Sequence, residues 1–156
     1  MATDIKKIIS NLFEFYNFKD QTILSVGAGG GQFIEYGRSA GKVIAVDNDS
    51  QALESLSLRL KEFQLSEKFT LICSDFCSIN LEADVVMFEF CLHEMTNPTV
   101  AIEHALTLAP NVLIVDHWID SEWAFIVDEE EKVAKSWTGI NRFDLRKVQS
   151  FKIGRA

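Results

Sequence analysis

The apolar residues of this chain fall into short continuous runs, separated by longer segments in which they recur at helical spacing. Short runs rich in β-branched residues are typical of strands that are buried on both faces of a sheet. Five such runs predict strands over residues 22–26, 42–47, 69–75, 83–90 and 111–118.

The segments around the first strand predict two helices. Thr3-Asp4 is expected to cap the first one, and its apolar residues recur at helical spacing: Ile5, Ile8, Ile9, Leu12 and Phe13. The second helix is predicted over residues 32–41. It is expected to end at Gly41, because glycine adopts the left-handed conformation that often closes a helix.

Two longer helices are predicted further along the chain. Ser50 is expected to cap one that runs to about Phe63. Its apolar face is predicted to hold Leu53, Leu56, Leu60 and Phe63. The other is expected to begin at Pro98, which suits a first helical turn. Its inner face is predicted to hold Val100, Ala101, His104 and Leu108.

Buried strands that alternate with helices predict an α/β domain: a doubly wound, mainly parallel sheet with helices on both faces. We expect a single domain over residues 1–156. It comprises an N-terminal helix (1–20), a ligand-binding core (21–118) and a C-terminal helical segment (119–156). Ligands of such sheets bind at the carboxyl ends of the strands. Polar residues at those ends are therefore the candidates for function.

A glycine-rich segment directly follows the first predicted strand. Gly27, Gly29 and Gly31 permit positive φ and let a ligand approach the backbone closely. A dinucleotide-binding loop would have glycine or alanine at position 32. Gln32 stands there, which disfavours a nicotinamide-dependent oxidoreductase. Taken alone, the loop also fits a purely structural turn.

Two acidic residues follow neighbouring predicted strands. Asp47 lies 20 residues after Gly27, and its carboxylate can accept hydrogen bonds from both hydroxyls of a ribose. Ser74, Asp75 and Phe76 follow the third strand. Asp75 can accept from an exocyclic amine while Phe76 covers a purine. The alternatives are that both acids begin turns and that Phe76 belongs to the core.

Together these motifs resemble the class I S-adenosylmethionine-dependent methyltransferases, in particular the small-molecule group of the ubiquinone/menaquinone type. The matching segments are ILSVGAGGGQF, VIAVDND, CSDF, DVVMFEFCLHEM and LAPNVLIVDHW, which cover about residues 20–118. The resemblance implies a Rossmann-like methyltransferase fold. It also implies methyl transfer from S-adenosylmethionine to a small-molecule acceptor, with S-adenosylhomocysteine as product.

The resemblance also assigns residues to the cofactor. Asp47 would hold the ribose hydroxyls, Asp75 would accept from the adenine amino group, and Glu89 would line the methionyl side. The full set of implied cofactor residues is Gly27, Ala28, Gly29, Gly31, Asp47, Asn48, Ser74, Asp75, Phe76, Glu89 and Phe90.

Methyl transfer relies mostly on positioning, and a general base helps only when the acceptor arrives protonated. His93, just past the fourth strand, is the candidate for that base. Glu94, His117 and Trp118 are candidate substrate residues. His93 and His117 both have a structural alternative, and a structural role is expected for His104.

The C-terminal part departs from the family pattern. Only 38 residues follow Trp118, and they show no convincing hairpin. The antiparallel hairpin that usually ends this fold is therefore expected to be missing or reduced. This leaves an alternative open, namely a non-catalytic adenosyl-ligand-binding or scaffold module on the same fold.

The net charge of −8 is unevenly distributed. Residues 1–131 hold 8 Lys/Arg against 22 Asp/Glu, and residues 132–156 hold 7 Lys/Arg against one acid. The acidic body disfavours nucleic acid as a partner, although the basic tail keeps RNA open.

No apolar run approaches the ~20 residues of a membrane span, and no signal-peptide pattern is present. The three cysteines have no metal-ligand spacing, so no metal site is predicted. We therefore expect a cytoplasmic protein without membrane contact, and the oligomeric state, including a homo-oligomer, is left open.

Overall fold

The computed structural model describes residues 5–29, 34–92, 95–116 and 148–152 of the 156-residue chain. Helices and strands alternate along these residues. In chain order they are α1 (Ile5–Phe15), β1 (Thr22–Val26), β2 (Lys42–Asp47), α2 (Ser50–Glu62), β3 (Phe69–Cys73), β4 (Val85–Glu89), α3 (Pro98–Leu108), β5 (Asn111–Asp116) and β6 (Val148–Lys152). Two short 3-10 helices cover Ile34–Arg38 and Phe76–Ser78.

The strands form one sheet in the order β3-β2-β1-β4-β5-β6, and every neighbouring pair is parallel. β1 lies between β2 and β4, with Val26 in register with both Val46 and Phe88. The strand order reverses direction at this point, which opens a crevice at the carboxyl ends of β1 and β4. The predicted doubly wound parallel sheet is confirmed.

Two apolar layers enclose the sheet because successive strand residues point to opposite faces. Ile23 contributes to the layer covered by α1, the first 3-10 helix and α2. Leu24 and Val26 contribute to the layer covered by α3 and the second 3-10 helix. Both layers therefore reach the strand ends that border the crevice.

The strand predictions differ from the structure mainly at the carboxyl ends. β1 and β2 have their predicted bounds, whereas β3 and β4 end earlier than predicted. β5 is described as far as Asp116, and the last two residues predicted for it, 117–118, lie outside the described residues. The strand β6 was not predicted, because polar Gln149 and Ser150 interrupt its apolar pattern. It lies within the segment predicted as helical, and the rest of residues 119–156 lie outside the described residues.

The helix predictions were partly wrong in their contacts. In α1, Leu12 is buried, but Phe13 is 43% exposed and lies off the buried face. The cap predicted at Thr3-Asp4 lies outside the described residues. The cap of α2 is Asp49 rather than Ser50, because the Asp49 carboxylate accepts from the backbone N–H of Gln51 at 2.9 Å. The predicted leucines of α2 are buried.

The helix predicted over residues 32–41 was wrong, because the described part of that segment forms only the short 3-10 helix Ile34–Arg38. Gly41 does not close it with a positive φ. Glycine is required there because a Cβ would lie 2.9 Å from the Asp20 carbonyl oxygen.

The bounds of α3 match the prediction, but its buried face does not entirely do so. Ala101 and Leu108 are buried as predicted, together with Pro98, Ile102 and Ala105. Val100 is 46% exposed.

Candidate active site

A cleft of about 750 Å³ opens at the carboxyl ends of β1 to β4. Nine predicted cofactor residues line it: Gly27, Gly29, Asp47, Asn48, Ser74, Asp75, Phe76, Glu89 and Phe90. The side chain of Ala28 is buried in the core instead, and Gly31 lies outside the described residues. The residues that the motifs selected therefore come from four separate strand ends into one cavity.

The glycine loop bends sharply after β1. Gly27 and Gly29 have φ values of 74° and 55°, and the Gly27 N–H donates to the Val46 carbonyl at 3.0 Å. A Cβ at Gly27 would lie 2.6 Å from the Cβ of Cys91. The loop after β1 thus packs directly against the loop after β4, and only glycine fits at the contact.

Asp47 joins this loop to the start of α2. Its Oδ2 accepts from the Gly29 N–H at 3.2 Å, and its Oδ1 accepts from the Asp49 N–H at 2.9 Å. A carboxylate has about four lone-pair positions, so both oxygens can still accept hydrogen bonds from a ligand. The half-buried carboxylate therefore holds its own loop and borders the cleft at once.

The segment after β3 forms the next part of the wall. The Ser74 N–H donates to the Asp47 carbonyl at 3.0 Å. Asp75 precedes the second 3-10 helix but makes no capping hydrogen bond with its side chain. Phe76 is a buried core residue that also lines the cleft, and its ring lies edge-on to Phe88 and His104.

Glu89 is buried at the end of β4, with only 6% of its surface exposed. Ser25 and Tyr36 both donate a hydrogen bond to its Oε2. Burial raises the pKa of Glu89 to about 8, and the charge of Asp47 acts in the same direction. The two hydrogen bonds oppose this shift. Burial, followed by the charge of Glu89, also raises the pKa of Tyr36 well above its ordinary value.

Ser25 and Tyr36 were missed by the sequence analysis. A polar residue within the buried run TILSV was the available signal for Ser25. The local pattern gave no sign that Tyr36 reaches Glu89, because 53 residues separate them in the chain.

The remaining wall comprises the motif residue Phe90 and residues that no motif indicated. Phe90 has a φ of 53°, a left-handed conformation that costs a non-glycine residue about 1–2 kcal/mol. Thr96 and Asn97 precede α3 and line the cleft, as does Val100 on its first turn. Val100 was predicted to face the core and instead faces the cavity.

Several candidate residues lie outside the described residues: His93, Glu94, His117 and Trp118. Their predicted roles as base and substrate contacts stay predictions. His104 has a structural contact, with its Nε2 2.7 Å from the Ile79 carbonyl oxygen.

The cysteines are all free. Burial, together with Asp75, raises the pKa of the Cys77 thiol, which disfavours the reactive thiolate. Within the described ranges, no group of His, Cys, Asp or Glu is arranged to hold a metal ion. None of the helices described in the structure is long and apolar enough to cross a membrane.

The family model described as "Methyltransferase domain" matches residues 24–111, which is more than half of the chain. The chain therefore belongs to this family. The assignment agrees with the class I S-adenosylmethionine-dependent group that the motifs predicted. The ubiquinone/menaquinone type stays a prediction, and no curated protein matches the sequence.

Solved methyltransferase structures share the fold. An S-adenosylmethionine-dependent methyltransferase from Aquifex aeolicus is 22% identical, with a TM-score of 0.64, over 85% of this chain and 79% of its own. Magnesium protoporphyrin IX methyltransferase from Synechocystis, with bound S-adenosylmethionine, is 16% identical with a TM-score of 0.61. This match covers 70% of the present chain but only 55% of the Synechocystis chain.

A candidate rRNA methylase from Clostridium thermocellum is also similar in structure. It is 18% identical with a TM-score of 0.61, over 91% of this chain and 85% of its own. At these identities the likeness establishes the fold, and the acceptor has to be argued from the site.

Proposed function

We propose that this chain is an enzyme that binds S-adenosylmethionine in the cleft and transfers its methyl group to a small-molecule acceptor. The observation that carries the proposal is the contact between Gly29 and Asp47, at 3.2 Å. It brings bare backbone after β1 and a carboxylate at the end of β2 to the same side of one cavity. This combination suits a nucleoside, because backbone groups and a ribose-binding acid are both required.

In this proposal each portion of the cofactor has its own part of the cavity. We assign the ribose to Asp47, the adenine to Asn48, Ser74, Asp75 and Phe76, and the methionyl portion to the segment Glu89–Phe90. When bound, S-adenosylmethionine supplies a methyl group on a sulfonium, and its leaving group departs neutral. The protein then mainly has to align the acceptor.

The charge of the cleft supports an acceptor that is not a polyanion. Asp47, Asp49 and Asp75 line it, and no Lys or Arg is among its described lining residues. A phosphate backbone would be repelled from such a surface. RNA is the competing acceptor, because the candidate rRNA methylase shares the fold and the tail is basic. RNA binding that weakens with salt, together with methylation of RNA, would favour it.

Cofactor binding tests the proposal directly. Asp47→Ala is expected to weaken the binding of S-adenosylmethionine at least tenfold, about 1.4 kcal/mol. The change removes the ribose acceptor and also releases the Gly29 loop. Isothermal titration calorimetry gives the dissociation constants, with Glu62→Ala on exposed α2 surface as the matched control. An unchanged dissociation constant for Asp47→Ala would place the ribose elsewhere.

Turnover distinguishes an enzyme from the alternative, a non-catalytic adenosyl-binding module. We propose that His93 is the base or orienting group, with Glu94, His117 and Trp118 around the acceptor. His93→Ala should then leave cofactor affinity nearly intact and lower turnover in a screen of small acceptors. Binding of S-adenosylmethionine without turnover on any acceptor would favour the binding module.

The free thiols fit a cytoplasmic location, which is part of the proposal.

A further inference from the structure

The two oxygens of the buried Glu89 carboxyl group differ in their hydrogen bonds. Its Oε2 accepts from both Ser25 and Tyr36, whereas Oε1 has no hydrogen-bond partner among the described residues. Leaving a buried polar atom without a partner is costly, and native structures rarely tolerate it without a reason. Glu89 lines the cleft, so a ligand in the cavity can supply the missing donor.

The surroundings of Glu89 favour a donor that carries positive charge. In the part of the chain that the structure describes, the titratable groups that act on Glu89 are Tyr36 from the first 3-10 helix and Asp47 from β2. Ser25 from β1 adds a neutral hydroxyl. None of these groups is a cation, and no described Lys or Arg lines the cleft. A ligand cation would therefore meet an uncompensated acceptor at this point.

We propose that Glu89 binds the ammonium group at the amino-acid end of the cofactor and that Glu89 loses one proton as this contact forms. Ser25 and Tyr36 are positioning residues that orient the carboxyl group of Glu89. The inference rests on the proposed function, because S-adenosylmethionine carries that ammonium. The O–H bond of the Glu89 carboxyl breaks and its proton passes to solvent. An ammonium N–H then donates to the carboxylate, and no electrons are transferred.

The release of a proton follows from the burial of Glu89. Because burial raises the pKa of Glu89 to about 8, the empty site holds mostly neutral carboxyl at neutral pH. A nearby cation favours the ionised form. The hydrogen bonds from Ser25 and Tyr36 also stabilise the carboxylate, so they ease its ionisation when the ligand arrives.

A series of three ligands isolates the contact. S-adenosylmethionine and S-adenosylhomocysteine both carry the ammonium, only the former carries the sulfonium, and methylthioadenosine carries neither. Glu89→Gln should weaken the first two about equally, by roughly tenfold or more, because a charge-assisted hydrogen bond is lost. Methylthioadenosine should bind as before. Glu103→Gln, on exposed α3 surface, is the matched control.

Each other outcome has a distinct meaning. If only S-adenosylmethionine is weakened, Glu89 contacts the sulfonium and the ammonium assignment is wrong. If Glu89→Gln binds all three ligands like the wild type, the proposed contact between Glu89 and the ammonium group is wrong, while the proposed function stands. If the wild type binds none of them, the proposed function is wrong as well.

Proton release is measured on the wild type, so it does not depend on any variant folding. Calorimetry of S-adenosylmethionine binding near pH 7, in buffers of different ionisation enthalpy, should count close to one proton released. Glu89→Gln should release none, provided that its thermal unfolding shows a folded protein. A wild type that releases no proton would overturn the proposal.

Tyr36→Phe tests positioning because its ring still packs against Phe18 and Phe69. Without the hydroxyl, ionisation of Glu89 becomes harder. The rise of S-adenosylmethionine affinity with pH should therefore move to higher pH. Tyr16→Phe, which removes a hydroxyl bonded to Gln21 at 2.8 Å, is the control and should leave the profile in place. An unmoved profile in Tyr36→Phe would remove Tyr36 from the positioning role.

Discussion

Gly27 and Gly29 both have a positive φ but lie in different surroundings. A Cβ at Gly27 would collide with Cys91, whereas a Cβ at Gly29 would meet, among the described residues, only the Gly27 carbonyl oxygen at 3.7 Å. Both positions carry the strain of a positive φ when glycine is replaced. Only Gly27 adds a steric reason, so the two glycines of one motif are required to different degrees.

Alanine substitutions should separate these two reasons. Gly29→Ala is expected to lower the free energy of unfolding by about 1–2 kcal/mol from φ strain alone. Gly27→Ala should lower it by about 1–3 kcal/mol more, because its methyl group overlaps Cys91. Urea denaturation measures both values. The double variant Gly27→Ala/Cys91→Gly should recover part of the additional loss, and equal losses in the two single variants would exclude the Cys91 contact as the cause.

At this scale, residues that sit in local motifs were predictable and those defined by distant contacts were not. The spacing of the glycines and of Asp47 was visible in the sequence, and nine motif residues do line the cleft. Cys91 packs on Gly27, and Ser25 reaches Glu89 across 64 residues. Such contacts depend on the order of strands in the sheet, which a local pattern does not specify.

Among the elements, α3 and the second 3-10 helix are joined through His104. Its Nε2 lies 2.7 Å from the Ile79 carbonyl oxygen, and its ring lies 5.2 Å from that of Phe76 at 73°. Phe76 also lines the cleft. The two contacts of His104 therefore hold the segment after β3, which lines the cleft, against α3.

Removing the contacts of His104 should affect stability more than an exposed substitution on the same helix. His104→Ala is expected to lower the free energy of unfolding by about 1–3 kcal/mol, because Ile79 loses its hydrogen bond and Phe76 loses a ring contact. Glu103→Ala, an exposed position on the same helix, is the control and should stay within about 0.5 kcal/mol. Chemical denaturation measures both changes, and equal values would show that the His104 contacts contribute little to the free energy of unfolding.

Element types were more predictable than their ends. Asp49 and Ser50 are both good capping residues, so the local sequence could not choose between them. The choice follows from Asp47, which accepts the Asp49 N–H and fixes the chain before the helix. Likewise, the segment after the glycine loop has helix-compatible residues, yet its described part is only the short 3-10 helix Ile34–Arg38.

For the whole molecule, the buried Glu89 links folding to pH. Its pKa rises from an ordinary 4.5 to about 8 in the folded chain. Between these values the folded state holds a proton that the unfolded state has lost. Stability from this group is therefore complete below about pH 4.5 and decreases as the pH rises through about 8.

Glu89→Gln should flatten this dependence, since glutamine does not ionise. Between about pH 6 and pH 9, the wild type should lose at least about 1 kcal/mol more unfolding free energy than the variant. Urea denaturation at the two pH values measures the difference, with Glu103→Gln as the exposed control. Parallel losses in wild type and Glu89→Gln would show that another group governs the pH dependence.

The layered architecture was the part of the molecule that the sequence predicted best. Alternating buried runs and helices gave the parallel sheet with both faces covered, because each run has to be shielded from water on two sides. The pairing of β6 with β5 was not predictable in this way, since Val148–Lys152 has mixed polarity. The position of β6 depends on its pairing with the edge of β5 rather than on its own pattern of apolar and polar residues.

The two hydrogen bonds of Asp47 have a consequence for the strength of ligand binding. Restricting the backbone of a residue costs roughly 1–2 kcal/mol in conformational entropy. Gly29 and Asp49 are already restricted by the Asp47 carboxylate when the chain folds. A nucleoside that arrives at this carboxylate finds the adjoining backbone in place, so less of its interaction energy is consumed in ordering the protein.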